Sequence, residues 1–263
     1  MKRILYILVI SVIVLVGCKR QDEAVVFQIS QIPEVAKNAN DAICNIEFRI
    51  QYAKGGAAAD SINKAILQCG LFPKECVKDG MEKDFVEAVK GIENYYKKEF
   101  EATDFERTVF PDGQVVVPDA SEYYYIAGSD FSYGRDSIIN YQLAYDSFMG
   151  GVRNNYQMVS LNFDPKTGRL IKIKDFIKPE AEAKIADLIV ADVAKQFECA
   201  SLQELQDEHM IFSEFDPYVP ENFAIGRDYV EFIYQHEEIA PYAVGFVTAK
   251  IPYRDLEGCL KTH

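Results

Sequence analysis

The sequence predicts an α+β fold, with antiparallel sheets and packed amphipathic helices arranged as two sequential subdomains. Helix-like and strand-like segments fall into separate runs, which is typical of α+β proteins rather than of alternating βαβ units. Glu47 to Tyr52 (EFRIQY) alternates polar and apolar side chains, as a half-buried strand does. The predicted divisions are a leader at 1–17, a tether at 18–24, and α+β domains at 25–172 and 173–263.

Two segments in the first domain predict helices. Residues 60–71 form a short one, which Asp60 or Ser61 can cap. A longer helix opens at Gly80, because apolar residues follow at steps of three and four from Met81 to Phe100. This apolar stripe indicates packing against a core rather than a cofactor site.

Strands dominate after a connector at 103–120, which contains the turn signal Pro111-Asp112-Gly113. Three segments are rich in aromatic and β-branched residues and are predicted to be strands: 123–126, 138–145 and 156–163. Gly168 supplies the positive φ for a hairpin that leads into a strand at 170–173.

The second domain is predicted to combine one amphipathic helix with two strands and a terminal helix. The first helix covers 180–197, and the strands cover 229–234 and 245–251. Pro252 begins the terminal helix, since proline is tolerated in a first turn, and Leu256 and Leu260 face inward.

The N-terminus has the plan of a bacterial lipoprotein signal. Lys2 and Arg3 precede an apolar run of about thirteen residues, which is shorter than the roughly twenty that a transmembrane helix needs. The ending Leu-Val-Gly-Cys18 resembles the lipobox, in which the cysteine is acylated and becomes the first mature residue. The alternatives are a membrane anchor or an ordinary cleaved signal. Because Lys19 follows, the resemblance implies lipid anchoring at the outer membrane, on its periplasmic or surface face.

The chain is strongly acidic. Its formal net charge of −13 becomes −15 when Lys2 and Arg3 are lost with the leader. This charge argues against binding to nucleic acid and favours a cationic partner. The alternative is that the acidity only maintains solubility.

Five cysteines remain after Cys18. Cys69 and Cys76 flank Gly70 and Pro73, so a disulfide could close a small loop there in an oxidising compartment. A zinc site is not expected, because the sequence has no C-x-x-C motif and only three histidines.

Sequence motifs for catalysis are absent, so neither an enzymatic activity nor a cofactor is predicted. His236 with Glu237 and Glu238 is the candidate for acid/base chemistry. Neighbouring residues of a strand point to opposite faces, so these two carboxylates need not converge. An unrecognised hydrolase remains the alternative.

Several segments occur together in a known order: Phe148 to Asn154, Ser160 to Phe176, Ile239 to Gly245, and Ile251 to Leu256. With Ser61 to Ile66 upstream, they resemble the paired envelope domains of unknown function in the ectodomains of lysozyme-sensing anti-sigma factors. The same pair forms the non-catalytic part of some peptidoglycan deacetylases. One departure is Arg153, which stands where the family has a histidine.

The resemblance implies a non-enzymatic binding module, with a lysozyme-like muramidase as partner. The alternative is a peptidoglycan-binding accessory of a wall-modifying enzyme. The candidate binding residues are Tyr242, Pro241 and Arg153. Pro241 restricts Ala240 to extended geometry and so presents Tyr242 from a rigid connection.

Overall fold

The computed structural model describes residues 25–39, 42–56, 58–80, 84–103, 108–109, 115–116, 123–150 and 153–261. The predicted leader, the tether with Cys18, and the turn at 111–113 lie outside these ranges. Within them, no helix combines the length and the apolar character needed to cross a membrane.

A six-stranded sheet forms the first half of the chain, in the order β1-β2-β5-β6-β7-β8. Its strands are β1 (Val26–Lys37), β2 (Ile43–Lys54), β5 (Tyr123–Tyr133), β6 (Ile139–Phe148), β7 (Asn155–Phe163) and β8 (Leu170–Ile171). β2 and β5 run parallel, and all other neighbours are antiparallel. β3 (Thr108–Val109) and β4 (Val115–Val116) form a separate antiparallel pair, which lies between β2 and β5 in the sequence.

Three helices accompany this sheet: α1 (Ala59–Leu67), α2 (Lys74–Gly80) and α3 (Phe85–Ala102). The long helix begins at Phe85 rather than at the predicted Gly80, because the Asp84 carboxylate accepts the amides of Val86 and Glu87 and caps it there. The short helix ends at Leu67, four residues before the predicted end at 71.

The structure does not form the predicted disulfide between Cys69 and Cys76. Helix α2, which the sequence did not predict, carries Cys76 towards Tyr96, whereas Cys69 lies near Tyr141. Each thiol therefore packs against a different part of the core. Burial raises the pKa of Cys69 to about 11.

Aromatic rings dominate the first core. Tyr96 of α3 lies 4.4 Å from the ring of Tyr125, 5.8 Å from that of Tyr145 and 5.8 Å from that of Phe48. Tyr123 and Tyr125 are buried, while Tyr124 faces the other side of the sheet, as strand alternation predicts. The predicted stripe is confirmed as core from Phe85 to Phe100, while its first residue, Met81, lies outside the described residues.

The second half contains α4 (Ile173–Phe176), α5 (Glu182–Gln196), α6 (Leu202–His209) and a three-stranded sheet in the order β11-β10-β9. The strands are β9 (Phe223–Ile225), β10 (Tyr229–Tyr234) and β11 (Val247–Pro252). Ile185, Ile189 and Val193 of α5 are fully buried in a second hydrophobic cluster with the inner residues of β10 and β11. The predicted α+β class is confirmed.

Two predictions about secondary structure are wrong, one for residues 170–173 and one for the residues after Pro252. The strand at 170–173 stops at Ile171, because Asp175 bonds back to the Lys172 amide and a short helix starts at Ile173. Between Pro252 and Lys261, the last described residue, no helix forms: the chain runs through turns, and Gly258 has a φ of +78° that interrupts helical geometry. Leu256 is nevertheless buried, as predicted.

Side-chain amides join the large sheet to the small one. Asn140 of β6 donates to the Ile225 carbonyl at 2.6 Å, and Asn162 of β7 donates to the Phe223 carbonyl at 2.7 Å. The Ile225 amide donates to the side-chain oxygens of both asparagines, at 3.1 and 2.9 Å. Both asparagines are buried, so they satisfy backbone groups of β9 that water does not reach.

Asn222 and Gln235, which flank the strands of the small sheet, bond in the opposite direction, to the backbone of β7 in the large sheet. The Asn222 side chain accepts from the Ser160 amide at 2.8 Å and donates to the Met158 carbonyl at 3.0 Å. Gln235 accepts from the Met158 amide at 3.0 Å and donates to its carbonyl. We call Asn140, Asn162, Asn222 and Gln235 the amide seam; each of them mimics a peptide unit opposite a strand.

Candidate functional site

Arg153 and Tyr242, which belong to separate sequence motifs, meet beside the amide seam. The Arg153 guanidinium carbon lies 5.0 Å from the centre of the Tyr242 ring, within cation–π range. Arg153 Nη1 also lies 2.5 Å from Glu237 Oε1. Since more than half of each of these two charged side chains is exposed (56% and 54%), the ion pair contributes little to stability.

A chain of hydrogen bonds fixes the other end of Tyr242. Its hydroxyl donates to Asn154 Oδ1, Asn154 Nδ2 donates to Asp146 Oδ1 at 2.7 Å, and the Tyr124 hydroxyl approaches Asp146 Oδ2 at 3.4 Å. Burial and the nearby Asp146 carboxylate raise the pKa of Tyr124, so it remains a protonated donor. Tyr242 is therefore held in place rather than free to swing.

Tyr242 and Asn154 border a cleft of about 280 Å³, which we call the junction cleft. Its lining comes from both halves of the chain: Asn154, Asn155, Tyr156, Gln157, Gln235, His236, Glu237 and Tyr242. Most of these residues have polar side chains, but polar and apolar atoms contribute almost equally to the surface of the cleft.

His236 lies among aromatic rings, with ring-centre distances of 5.6 Å to Tyr156, 5.4 Å to Tyr242 and 4.4 Å to Phe246. Its Nδ1 is buried and has no hydrogen-bond partner among the described residues. Gly245 has a φ of +81°, which glycine adopts without strain, and a Cβ there would be in ordinary contact with the imidazole, 3.6 Å from Nε2.

The two glutamates beside His236 are engaged elsewhere. Glu237 pairs with Arg153, and Glu238 accepts from the Tyr218 hydroxyl and the Gln235 amide, each at 2.6 Å. The geometry therefore supplies neither carboxylate to the imidazole as the partner that general acid/base catalysis would require.

A second depression adjoins the cleft, and we call it the acidic groove. It has a volume of about 210 Å³ and is lined by Met210, Ser213, Glu214, Phe215, Glu237, Glu238, Ile239, Ala240 and Pro241. Met210 and Phe215 are each 54% exposed, which is high for apolar side chains. Pro241 lies exposed at its edge, next to Tyr242.

The backbone that forms the groove has an unusual conformation. Met210 and Phe212 both have a φ of +57°, and the Phe212 amide donates to the Ile239 carbonyl at 2.8 Å. A positive φ is uncommon for residues other than glycine, and it points the side chains of Met210 and Phe212 in directions that a regular helix or strand would not give them. Residues 210–215 show no periodicity, so the sequence does not predict the groove.

Residues 174–254 match the family model DUF3298, described as a protein of unknown function. The DUF3298 match includes the groove residues and Tyr242 but not Arg153. The comparison with curated proteins finds no match.

Two solved DUF3298 structures share the fold. A member from Bacteroides fragilis has 23% identity and a TM-score of 0.76, over 91% of this chain and 94% of that one. A Pseudomonas aeruginosa protein has 14% identity and a TM-score of 0.59, over 91% of this chain and 96% of that one.

Proposed function

We propose that this chain is a cell-envelope lipoprotein whose folded part binds a cationic protein without catalysing a reaction. The observation that supports this most is the acidic groove, where exposed Met210 and Phe215 lie beside Glu214 and Glu237. Aromatic and methionine side chains are typical of the centres of protein interfaces.

Charge selects the kind of partner. The mature chain would carry a net charge of −15, and the groove contributes glutamates next to its apolar anchors. Complementary potentials speed encounter and suppress partners of like charge. A basic protein with an apolar surface patch fits this groove.

A lysozyme-like muramidase is the specific partner that we propose. Two points support it: lysozymes are typically cationic, and the motifs at 148–176 and 239–256 resemble those in ectodomains of lysozyme-sensing anti-sigma factors. The related resemblance to deacetylase accessory domains supports peptidoglycan binding as the second candidate.

Phe215→Ala is expected to weaken binding of a cationic lysozyme to the full chain by about tenfold, the effect of losing one buried aromatic anchor. Glu214→Gln should weaken it several-fold and reduce its dependence on salt. Isothermal titration calorimetry at low and moderate salt measures both effects.

Glu101→Gln is the matched control, because Glu101 is an exposed glutamate on α3 in the other half of the chain. Equal losses for Glu101→Gln and Glu214→Gln would show that only net charge matters and would contradict a localised site. Absence of any complex at low salt would exclude the lysozyme partner. Retention by purified sacculi would then support the accessory-module alternative.

Arg153→Gln is expected to strengthen the same complex a few-fold, because it removes a positive charge beside the groove and releases Glu237 from its ion pair. Arg135→Gln is a suitable control, as this exposed arginine also contacts a tyrosine ring, that of Tyr253. If both substitutions have the same effect, the junction cleft plays no specific part.

A further inference from the structure

Three side chains that can bind a metal converge where α5 passes into α6. The Cys199 sulfur, a Glu208 carboxylate oxygen and a His209 ring nitrogen all lie within 4.8 Å of one another. The sequence predicts no zinc site, because it has no C-x-x-C motif and only three histidines. No sequence pattern reveals the turn that brings Cys199 close to Glu208 and His209, about ten positions later.

The local backbone brings these residues together. Glu198, immediately before Cys199, has a φ of +59°, and Met210, immediately after His209, has a φ of +57°. Left-handed non-glycine residues are strained and persist where the surrounding structure holds them. Between them, Ser201 caps α6 by accepting the Glu204 amide.

Phe197 orients two of the three side chains. Its carbonyl accepts a hydrogen bond from the Cys199 thiol at 3.5 Å, and its ring lies 4.9 Å from the His209 ring. Metal ligands are commonly positioned in this way by groups behind them. Glu204, the other carboxylate near Cys199, is held by the Ala200 amide at 2.7 Å and supports the helix cap.

The donor set has a definite chemical preference. One sulfur, one imidazole nitrogen and one carboxylate oxygen suit zinc, which binds these donors tetrahedrally. A thiolate and a carboxylate together would neutralise a divalent ion. A small movement of the side chains would bring donors that lie within 4.8 Å of one another onto one ion.

We propose that Cys199, Glu208 and His209 bind one Zn²⁺ ion, with water in the fourth position. Binding forms the Zn–S bond as the thiol S–H bond breaks, and the proton leaves to solvent. The site adjoins Met210 and therefore the rim of the acidic groove.

Calorimetric titration of the full chain with Zn²⁺ should show one equivalent bound, and Co²⁺ should produce a thiolate charge-transfer band. Cys199→Ser should abolish that band. His209→Gln and Glu208→Gln should each weaken zinc binding by at least about tenfold, the lower end of the loss when a metal site is damaged.

Cys76→Ser and His236→Gln are the matched controls, since neither residue lies in the cluster, and both should bind zinc as the parent does. Circular dichroism tests whether each variant is folded. If Cys199→Ser does not fold, Glu208→Gln still tests the site, because Glu208 is exposed and its substitution should not disturb folding. Failure of the parent to bind one equivalent would overturn the proposal. Loss of the cobalt band in Cys76→Ser but not in Cys199→Ser would do the same.

Discussion

Gly134→Ala is expected to lower the free energy of unfolding by about 2–4 kcal/mol, because an added methyl group has no room. A Cβ at Gly134 would lie 1.8 Å from the Ile225 carbonyl oxygen and 2.7 Å from Asn140 Nδ2. The obstacle is backbone of β9 rather than a flexible side chain. The substitution must therefore push the two sheets apart at the amide seam. Urea unfolding of the full chain, followed by circular dichroism, measures the change.

Gly128→Ala is the control for this substitution. Gly128 lies in β5, the strand that Gly134 follows, and a Cβ there would meet no atom within 4 Å. It should be neutral or slightly stabilising, since alanine reduces the entropy of the unfolded chain. Similar losses for the two variants would show that the close approach of Gly134 to Ile225 does not limit stability.

Asn140→Ala and Asn162→Ala are each expected to cost about 1–3 kcal/mol, since each leaves a buried carbonyl of β9 without its partner. The double variant should cost more than the sum. The Ile225 amide has both asparagine oxygens as acceptors, so it loses its last one only in the double variant. A double-mutant cycle from urea unfolding gives the coupling energy.

Asn94→Ala is the matched control for the seam, because the Asn94 amide bonds only to the Lys90 carbonyl of its own helix and is exposed. It should change stability little. Strict additivity of the Asn140 and Asn162 substitutions would contradict the shared role of the Ile225 amide.

Elements with a regular pattern could be predicted from the sequence. The alternation in 47–52 and the apolar stripe of α3 each reflect burial on one face, so they appear in the sequence itself. β1 was not predicted. It contains Pro33, which an edge strand such as β1 tolerates and an interior strand does not. Helix α2 was missed because its seven residues are too few to show a period.

The candidate site was predictable only in part. Tyr242, Pro241 and Arg153 came from motifs, but sequence could not reveal that Arg153 lies against Tyr242, since that contact joins residues far apart in the chain. Asn140, Asn162, Asn222 and Gln235 are polar and carry no pattern that distinguishes a buried seam from a surface. The strained turns at Glu198 and Met210 likewise depend on tertiary packing.

Side chains from outside the small sheet cap both of its edges. Asn140 and Asn162 cover β9. On the opposite edge, Asp192 of α5 accepts the Lys250 amide at 2.9 Å, and Gln196 donates to the Thr248 carbonyl at 2.8 Å. Open edges invite strands of other molecules to add and polymerise. Both edges of this sheet are therefore closed to a strand from a second copy of the chain, so aggregation by strand addition would have to begin elsewhere in the molecule.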